Sequence, residues 1–340
     1  QLDSINFSGS IDNSKIISSD FIVESKSEEF ILNSNFSGNT KKISFTDLSL
    51  NNNKMLLNAD MEFDIPLEKK NAQIKINFKE LNSSSYELEN IYPGIFGSVL
   101  PSSLKSIGNF KFYGDLSYNG DRIKSNFQLD NNDGKIYSDL EIFDFVNIDN
   151  ASYFGTFKGL NVDLSNFITL PFLGKSTFAF TIDGKGFVPE LLNSQLTGKI
   201  QELDINNYNY KNIDVSGDVS DKVFNGKLNI VDENIEMDFI GLIDYSNELI
   251  DFDFSTDIIK ANIGKLNLTL IENNSLSGKI TTKLRGSEFS NLIGDLSFKD
   301  FKYFSGDATY NFDELIAQSR INNDKRFYNI NSPDALSGII

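Results

Sequence analysis

Alternation of apolar and polar residues with a period of two most constrains what this chain can fold into. The pattern runs through most of the 340 residues, whereas helical spacing is rare. In an extended strand every second side chain points to the same face, so this period predicts strands with one apolar and one polar face. A clear run begins at Val223 and places on one parity Phe224, Gly226, Leu228 and Ile230.

Short clusters of Asn, Asp, Gly and Ser separate these runs. Examples are residues 118–121, 131–134, 232–234 and 246–248. Such residues accept a left-handed backbone or hydrogen-bond to their own turn, so they favour tight hairpins. Strands joined in sequence by hairpins form an antiparallel meander, and roughly 14 residues per strand and turn would give about two dozen strands.

Three segments interrupt the alternation and predict short helices that cap the sheet. Residues 84–97 offer a serine cap ahead of Glu87, with apolar residues at helical spacing behind it. Residues 161–170 and 258–268 could each hold one helical turn. None is long enough to form a second layer.

An internal repeat indicates that the strands belong to one array. The glycine pattern of residues 174–200 recurs over 278–296, at an offset of roughly 100 residues, and a fainter copy begins at Gly108. Although roughly 150 residues per domain would suggest two domains, the repeat predicts one continuous β-repeat groove segment over 1–340. Its weak sub-units would span about 1–100, 101–173, 174–277 and 278–340.

A wide flat sheet with one apolar face exposed to water is unstable, so the sheet must curl. The predicted fold is therefore all-β, an elongated, curled antiparallel repeat sheet (a β-taco or groove) with a few short helices.

Composition excludes several chemistries. The chain has no His and no Cys, which removes His-based triads, thiol catalysis, zinc fingers and disulfides. Its net charge of −17 opposes binding to nucleic acid. The longest apolar run, residues 91–100, is broken by Pro93 and is far shorter than the roughly 18–20 residues of a membrane-spanning helix.

Carboxylate pairs do not indicate an active site. Asp251 and Asp253, like Glu236 and Asp238, share a face, but both pairs have the solvent parity in a chain with 48 acidic residues. Residues 130–134 resemble part of a calcium-binding loop. When Gly134 is aligned to the glycine of such a loop, however, Leu129 occupies the first ligand position and cannot bind calcium, so a hairpin is the better interpretation. The sequence predicts no enzyme, no metal site and no cofactor.

The apolar parity combines Phe, Ile and Leu with spaced glycines and carries no charge. A curled sheet with such an inner wall would form a groove for the acyl chains of phospholipids. The alternative is a structural or adhesive envelope β-protein with a filled core, either a sandwich or an outer-membrane barrel, although the absence of Trp weakens the barrel. The predicted groove lining is Phe110, Phe112, Phe178, Phe180, Ile182, Val215, Phe224, Leu228, Ile230, Met237, Phe239, Phe252, Phe254, Ile280, Leu296 and Phe298.

One stretch resembles a known family. Residues 184–217, with Asn-Tyr-Lys-Asn-Ile at 209–213 and spaced glycines that continue through Gly226 and Gly241, are similar to TamB proteins of Bacteroidota-type bacteria, within the AsmA-like group. The resemblance is clearest over residues 100–305. It implies a periplasmic β-taco with a hydrophobic interior, anchored by an inner-membrane helix and ending near an outer-membrane barrel partner of the Omp85 type.

The resemblance also implies a function. Proteins of this kind are expected to conduct phospholipid between the inner and outer membranes of a Gram-negative envelope, or to assist outer-membrane protein assembly. This sequence contains neither the membrane helix nor the C-terminal conserved domain. The resemblance thus predicts an internal section of an envelope-spanning periplasmic protein, whose partners are phospholipid acyl chains and, through regions outside this section, the barrel partner.

Overall fold

The chain forms two compact units. The computed structural model describes residues 2–12, 15–25, 29–39, 41–51, 53–64, 72–89, 107–144, 150–166, 172–187, 191–286, 291–322, 325–332 and 336–339. Unit 1 comprises residues 1–167 and 185–188, and unit 2 comprises residues 168–184 and 189–340. The prediction of one continuous groove over 1–340 stays a prediction.

Unit 1 is an antiparallel meander in which each strand pairs with the next along the chain. Its strands are β1 (Leu2–Asp12), β2 (Lys15–Ser25), β3 (Glu29–Gly38), β4 (Lys42–Asn51), β5 (Leu56–Asp64), β6 (Gln73–Ser84), β7 (Asn109–Asn119), β8 (Arg122–Asn131), β9 (Gly134–Phe143) and β10 (Ser152–Asp163).

Unit 2 repeats this organisation, and β12 to β21 pair in sequence order. Strand β11 lies beside β12, where the Ser176 hydroxyl donates to the Glu202 carbonyl at 3.0 Å. The strands are β11 (Leu173–Lys185), β12 (Asn193–Ile205), β13 (Tyr208–Ser220), β14 (Val223–Val231), β15 (Ile235–Asp244), β16 (Ile250–Ala261), β17 (Asn274–Gly286), β18 (Ile293–Ser305), β19 (Ala308–Asn322), β20 (Lys325–Ser332) and β21 (Leu336–Ile339).

The all-β, antiparallel prediction is confirmed, and the turns show why consecutive strands pair. Asn206 and Asn207 have φ of 50° and 62°, and Asp221 and Lys222 have 49° and 64°. Two successive left-handed residues form a type I′ turn, whose twist matches that of the strands it joins. The predicted turns at 118–121, 131–134, 232–234 and 246–248 all lie between adjacent strands.

Bulges bend the sheets, as the curled interpretation requires. The register shifts between Phe45 and Leu48 of β4 and between Phe78 and Leu81 of β6, and unit 2 has further shifts in β15, β16 and β17. A bulge bends its strand and increases the local twist.

Polar side chains hold one of these bulges. The Asp47 amide donates to Asp60 Oδ1 at 2.8 Å, and Lys79 Nζ lies 2.7 Å from Asp47 and 3.0 Å from Asp60. The Asp47 amide first, and Lys79 second, lower the pKa of the Asp60 carboxyl.

The internal repeat corresponds to strand pairs. Residues 174–185 and 193–200 lie on β11 and β12, and residues 278–286 and 293–296 lie on β17 and β18. All four strands have 13 residues. The repeating unit is therefore a hairpin of long strands.

The interruptions of the alternation are short, as predicted. Residues 85–89 are helical, and the Glu87 amide donates to Ser84 Oγ at 3.2 Å, which confirms the serine cap. A 3-10 helix spans Leu164–Asn166. The remaining parts of the predicted segments, 90–97 and 167–170, lie outside the described residues.

The third predicted segment, 258–268, is a strand end and one turn. Strand β16 continues to Ala261, and the Leu266 amide then donates to the Asn262 carbonyl at 3.0 Å, four residues earlier, as in one helical turn. The helices that the structure describes are all too short to cross a membrane.

The left-handed backbone of Asn207 in the β12–β13 turn can be tested by substitution. Asn207→Gly should increase the free energy of unfolding of unit 2 by about 0.5–1 kcal/mol, because glycine adopts positive φ without strain. Asn207→Val should decrease it by about 1–2 kcal/mol. Asn225→Val, an exposed strand position, should change it by less than about 0.5 kcal/mol. Urea unfolding followed by circular dichroism checks this, and equal effects of the two valines would contradict it.

Candidate functional site

One face of unit 2 carries continuous rows of apolar residues, here called the apolar face. Antiparallel partners lie on the same face, so the register fixes each row. Phe180 leads the central row, since its Cα lies 2.8 Å from the place that a Cβ on Gly198 would occupy. The row then continues through directly paired residues: Gly198, Val215, Leu228, Phe239, Thr256, Ile280, Phe298 and Leu315.

All fourteen predicted lining residues of unit 2 fall on this face. Ile230 lies opposite Met237 in the row on one side of the central row. The rows on the other side contain the remaining strand-centre positions of the same parity. They account for Ile182, Phe224, Phe252, Phe254 and Leu296, whereas Phe178 lies on the same side of the central row as Ile230.

Unit 1 has an apolar face of its own, which contains the other two predicted residues. Phe112 lies opposite Leu81 and Leu129, and Phe110 is two positions away on the same strand. The Phe112 ring lies 5.2 Å from that of Phe78 and 5.1 Å from that of Phe127. Phe78 and Phe127 also follow the alternation, but they are not among the predicted lining residues.

The apolar faces are partly open to solvent. Eleven of the sixteen predicted lining residues are half-buried, and the largest fully enclosed side chains among the described residues are Leu266 and Ser176. A close-packed sandwich would enclose several phenylalanines completely. The five that are buried are Phe110, Phe178, Val215, Ile230 and Phe239.

Glycines on the apolar face make room for aromatic rings. A Cβ on Gly217 or Gly226 would meet the Phe224 ring at 2.9 or 2.8 Å, and one on Gly198 would meet the Phe180 ring at 2.7 Å. Phe rings of the same face lie over Gly198, Gly217 and Gly226, which shields backbone that would otherwise be exposed.

Small hydroxyl residues interrupt the apolar face, which the alternation did not predict. Thr256 and Thr282 are buried and donate to the carbonyls of Asp238 and Asp295, at 2.7 and 3.3 Å. These bonds satisfy the hydroxyl within the sheet, so it adds little polarity to the surface. The Ser138 hydroxyl of unit 1 is buried without a partner among the described residues.

The opposite face of unit 2 carries the charges. Asp251 and Arg285 form a two-pronged ion pair with both contacts at 2.6 Å, and Arg285 lowers the pKa of the Asp251 carboxyl. Asp253 lies 3.4 Å from Lys283. Asp251 and Asp253 therefore lie in salt bridges on the polar face, while Asp238 of the other acidic pair accepts a hydrogen bond from the Asn229 side-chain amide at 2.9 Å.

A concavity of about 920 Å³ also lies on this polar face of unit 2. Most of its lining residues, including Lys199, Lys227, Asp238 and Ile240, have the solvent parity. The alternation did not predict it, because sequence period assigns residues to a face without giving the curvature of that face.

A buried carboxylate organises one edge of unit 2, where the β12–β13 and β14–β15 turns lie; it is here called the turn edge. Asp232 accepts hydrogen bonds from the Tyr208 hydroxyl and from the amides of Lys211 and Asn234, the latter two at 3.0 and 2.9 Å. Burial first, and the bond to Asp232 second, raise the pKa of Tyr208 to about 12. This network ties β13 to the turn between β14 and β15.

The described residues include no group of three or more side chains that could hold a metal ion. Neither a scan against protein-family models nor searches of curated proteins and solved structures give a match.

The glycine arrangement predicts a steric effect. Gly226→Ala should lower the free energy of unfolding by about 1–3 kcal/mol, because the new Cβ would lie 2.5 Å from the Ser216 carbonyl oxygen and 2.8 Å from the Phe224 ring. Ser216→Ala, an exposed position on the opposite face, is the control and should change it by less than about 0.5 kcal/mol. Denaturant unfolding measures both, and a neutral alanine at 226 would contradict the packing described.

The Tyr208 network predicts a pH dependence. The phenol titrates near 10 in the unfolded chain and near 12 in the folded one, so its contribution to stability is complete below pH 10 and is lost as the pH rises from 10 through 12. Tyr208→Phe should lose less stability than wild type between pH 9 and pH 11. Guanidinium unfolding at the two pH values measures the difference, and equal losses would disprove the assignment.

Proposed function

We propose that the apolar faces bind phospholipid acyl chains and that the protein conducts phospholipid between the inner and outer membranes of a Gram-negative envelope. The observation that carries the proposal is the set of uncharged rows that run strand by strand across unit 2, with most of their large side chains only half-buried. Such a surface is stabilised when apolar material covers it.

The free energy of binding an acyl chain to the apolar face would allow the lipid to move. Each methylene of an acyl chain that leaves water contributes about 0.8 kcal/mol. Strands lie about 4.8 Å apart, and neighbouring strands present similar apolar residues, so a chain can shift from row to row between sites of similar depth. A lipid held without charge pairing can move, because no ion pair has to break.

The polar head groups of the lipid would stay in contact with water. Head groups remain in water while the tails lie on the apolar face, since burying a charged head group without partners would cost several kcal/mol. No bond is made or broken in this process, so the proposal needs neither a nucleophile nor a cofactor.

The partial exposure of the apolar faces supports a surface available to acyl chains over a filled structural core. The resemblance to TamB-family proteins agrees with this function but stays a prediction, since no family model matches. The periplasmic location, the barrel partner and a role in outer-membrane protein assembly rest on the same resemblance and also stay predictions.

Adjacent residues on opposite faces give a matched test. Leu228→Asp should reduce the phospholipid that co-purifies with the protein by about tenfold or more, because it places a charge in the central row. Lys227→Asp introduces the same residue on the polar face and should retain the lipid. Mass spectrometry of the purified protein measures lipid per chain, and circular dichroism confirms folding of both variants.

Two results would contradict the lipid proposal, and a crosslinking experiment provides a further check. A wild-type protein that carries no phospholipid and transfers none between vesicles would overturn the proposal, as would equal loss in both variants. A photo-crosslinking residue at Phe254 should label lipid, whereas one at Asp253 should not.

A further inference from the structure

A strap of residues 262–273 connects β16 to β17 and lies along the turn edge. At its start, the Asn262 amide donates to the Asn234 carbonyl at 2.8 Å. In its middle, the side-chain amides of Asn206 and Asn267 each donate to the other residue's carbonyl, at 2.9 and 3.2 Å. At its end, the Gly306 amide donates to Asn273 at 3.0 Å. The strap is thus fixed to unit 2 at three points.

The strap displays apolar side chains to solvent next to a buried one. Leu266 is fully enclosed, whereas Leu268, Leu270 and Ile271 are 59%, 102% and 54% exposed. These three residues are here called the strap tip. Together with Thr269 they form the continuous segment 268–271. A fixed loop that holds several large apolar side chains in water marks a contact site.

Two backbone amides of the tip are hydrogen-bonded within the strap. The Leu268 amide donates to the Ile263 carbonyl at 3.0 Å, and the Ile271 amide donates to Thr269 Oγ1 at 3.3 Å. An amide that enters lipid has to be satisfied within the protein, because the hydrocarbon offers no acceptor. The tip meets this condition at the amides of Leu268 and Ile271.

The size of the tip also favours lipid. Three side chains present a few hundred Å², whereas a stable protein interface buries roughly 800 Å² on each partner. A bilayer needs no matching shape. The net charge of −17 opposes approach to an anionic surface, so the lipid surface that suits this protein is zwitterionic.

We propose that the strap tip inserts into the interface of a zwitterionic lipid bilayer and brings the turn edge of unit 2 to the membrane surface. The inference is independent of lipid transport along the apolar face. A docked tip would, however, place that face next to a source or acceptor of lipid.

The absence of tryptophan makes the test direct, because a single introduced indole is the only one in the protein. Leu270→Trp should shift its fluorescence to shorter wavelength on addition of phosphatidylcholine vesicles, and brominated acyl chains should quench it. Ile240→Trp, at an apolar residue of similar exposure to Leu268 on the polar face, is the control and should show neither effect.

A second variant measures the contribution of the tip. Leu270→Asp should weaken co-sedimentation of the protein with phosphatidylcholine vesicles by about tenfold or more, while an unchanged circular dichroism spectrum and melting temperature confirm folding. Leu228→Asp should retain vesicle binding and lose co-purified lipid, so failure of the tip and failure of the groove give different results. Identical behaviour of the two tryptophan variants, or full binding by Leu270→Asp, would overturn the inference.

Discussion

The cross-strand register is the constraint on which the rest of this structure depends. Because side chains alternate with a period of two, a slip of one residue would move a whole apolar row to the charged face. Tight type I′ turns at Asn206–Asn207 and Asp221–Lys222 fix the register at two of the hairpins. The central row from Phe180 to Leu315 exists because every pairing between β11 and β19 keeps the same parity.

An apolar face that stays partly open needs other sources of stability than a closed core. Phenylalanine rings that cover glycines, as Phe224 covers Gly217 and Gly226, bury area within the face itself. Threonine hydroxyls bonded to backbone carbonyls add rigidity without adding polarity. The buried Asp232 network and the strap reinforce the turn edge. The proposed lipid function depends on the apolar face, and the proposed membrane contact depends on the turn edge.

The alternation was sufficient to predict the strands and most turns, because strand period and turn chemistry are local properties. Phe78 and Phe127 carry the same signal but are absent from the predicted lining. The alternation could not predict the hydroxyls on the apolar face, because Ser and Thr have no fixed parity, nor the ring positions over the glycines, which depend on rotamers and on residues of neighbouring strands.

By itself, the sequence determined an all-β antiparallel fold, the separation of charge from apolar surface, and the absence of imidazole and thiol chemistry. Only the tertiary structure decided where the faces curve, which carboxylate is buried, and how the strap is fixed. Residues 206 and 267 meet across 61 positions of sequence, and Asp232 receives its donors from two separate strand ends. Such contacts depend on the sum of many small bends and twists, and no local pattern of residues encodes that sum.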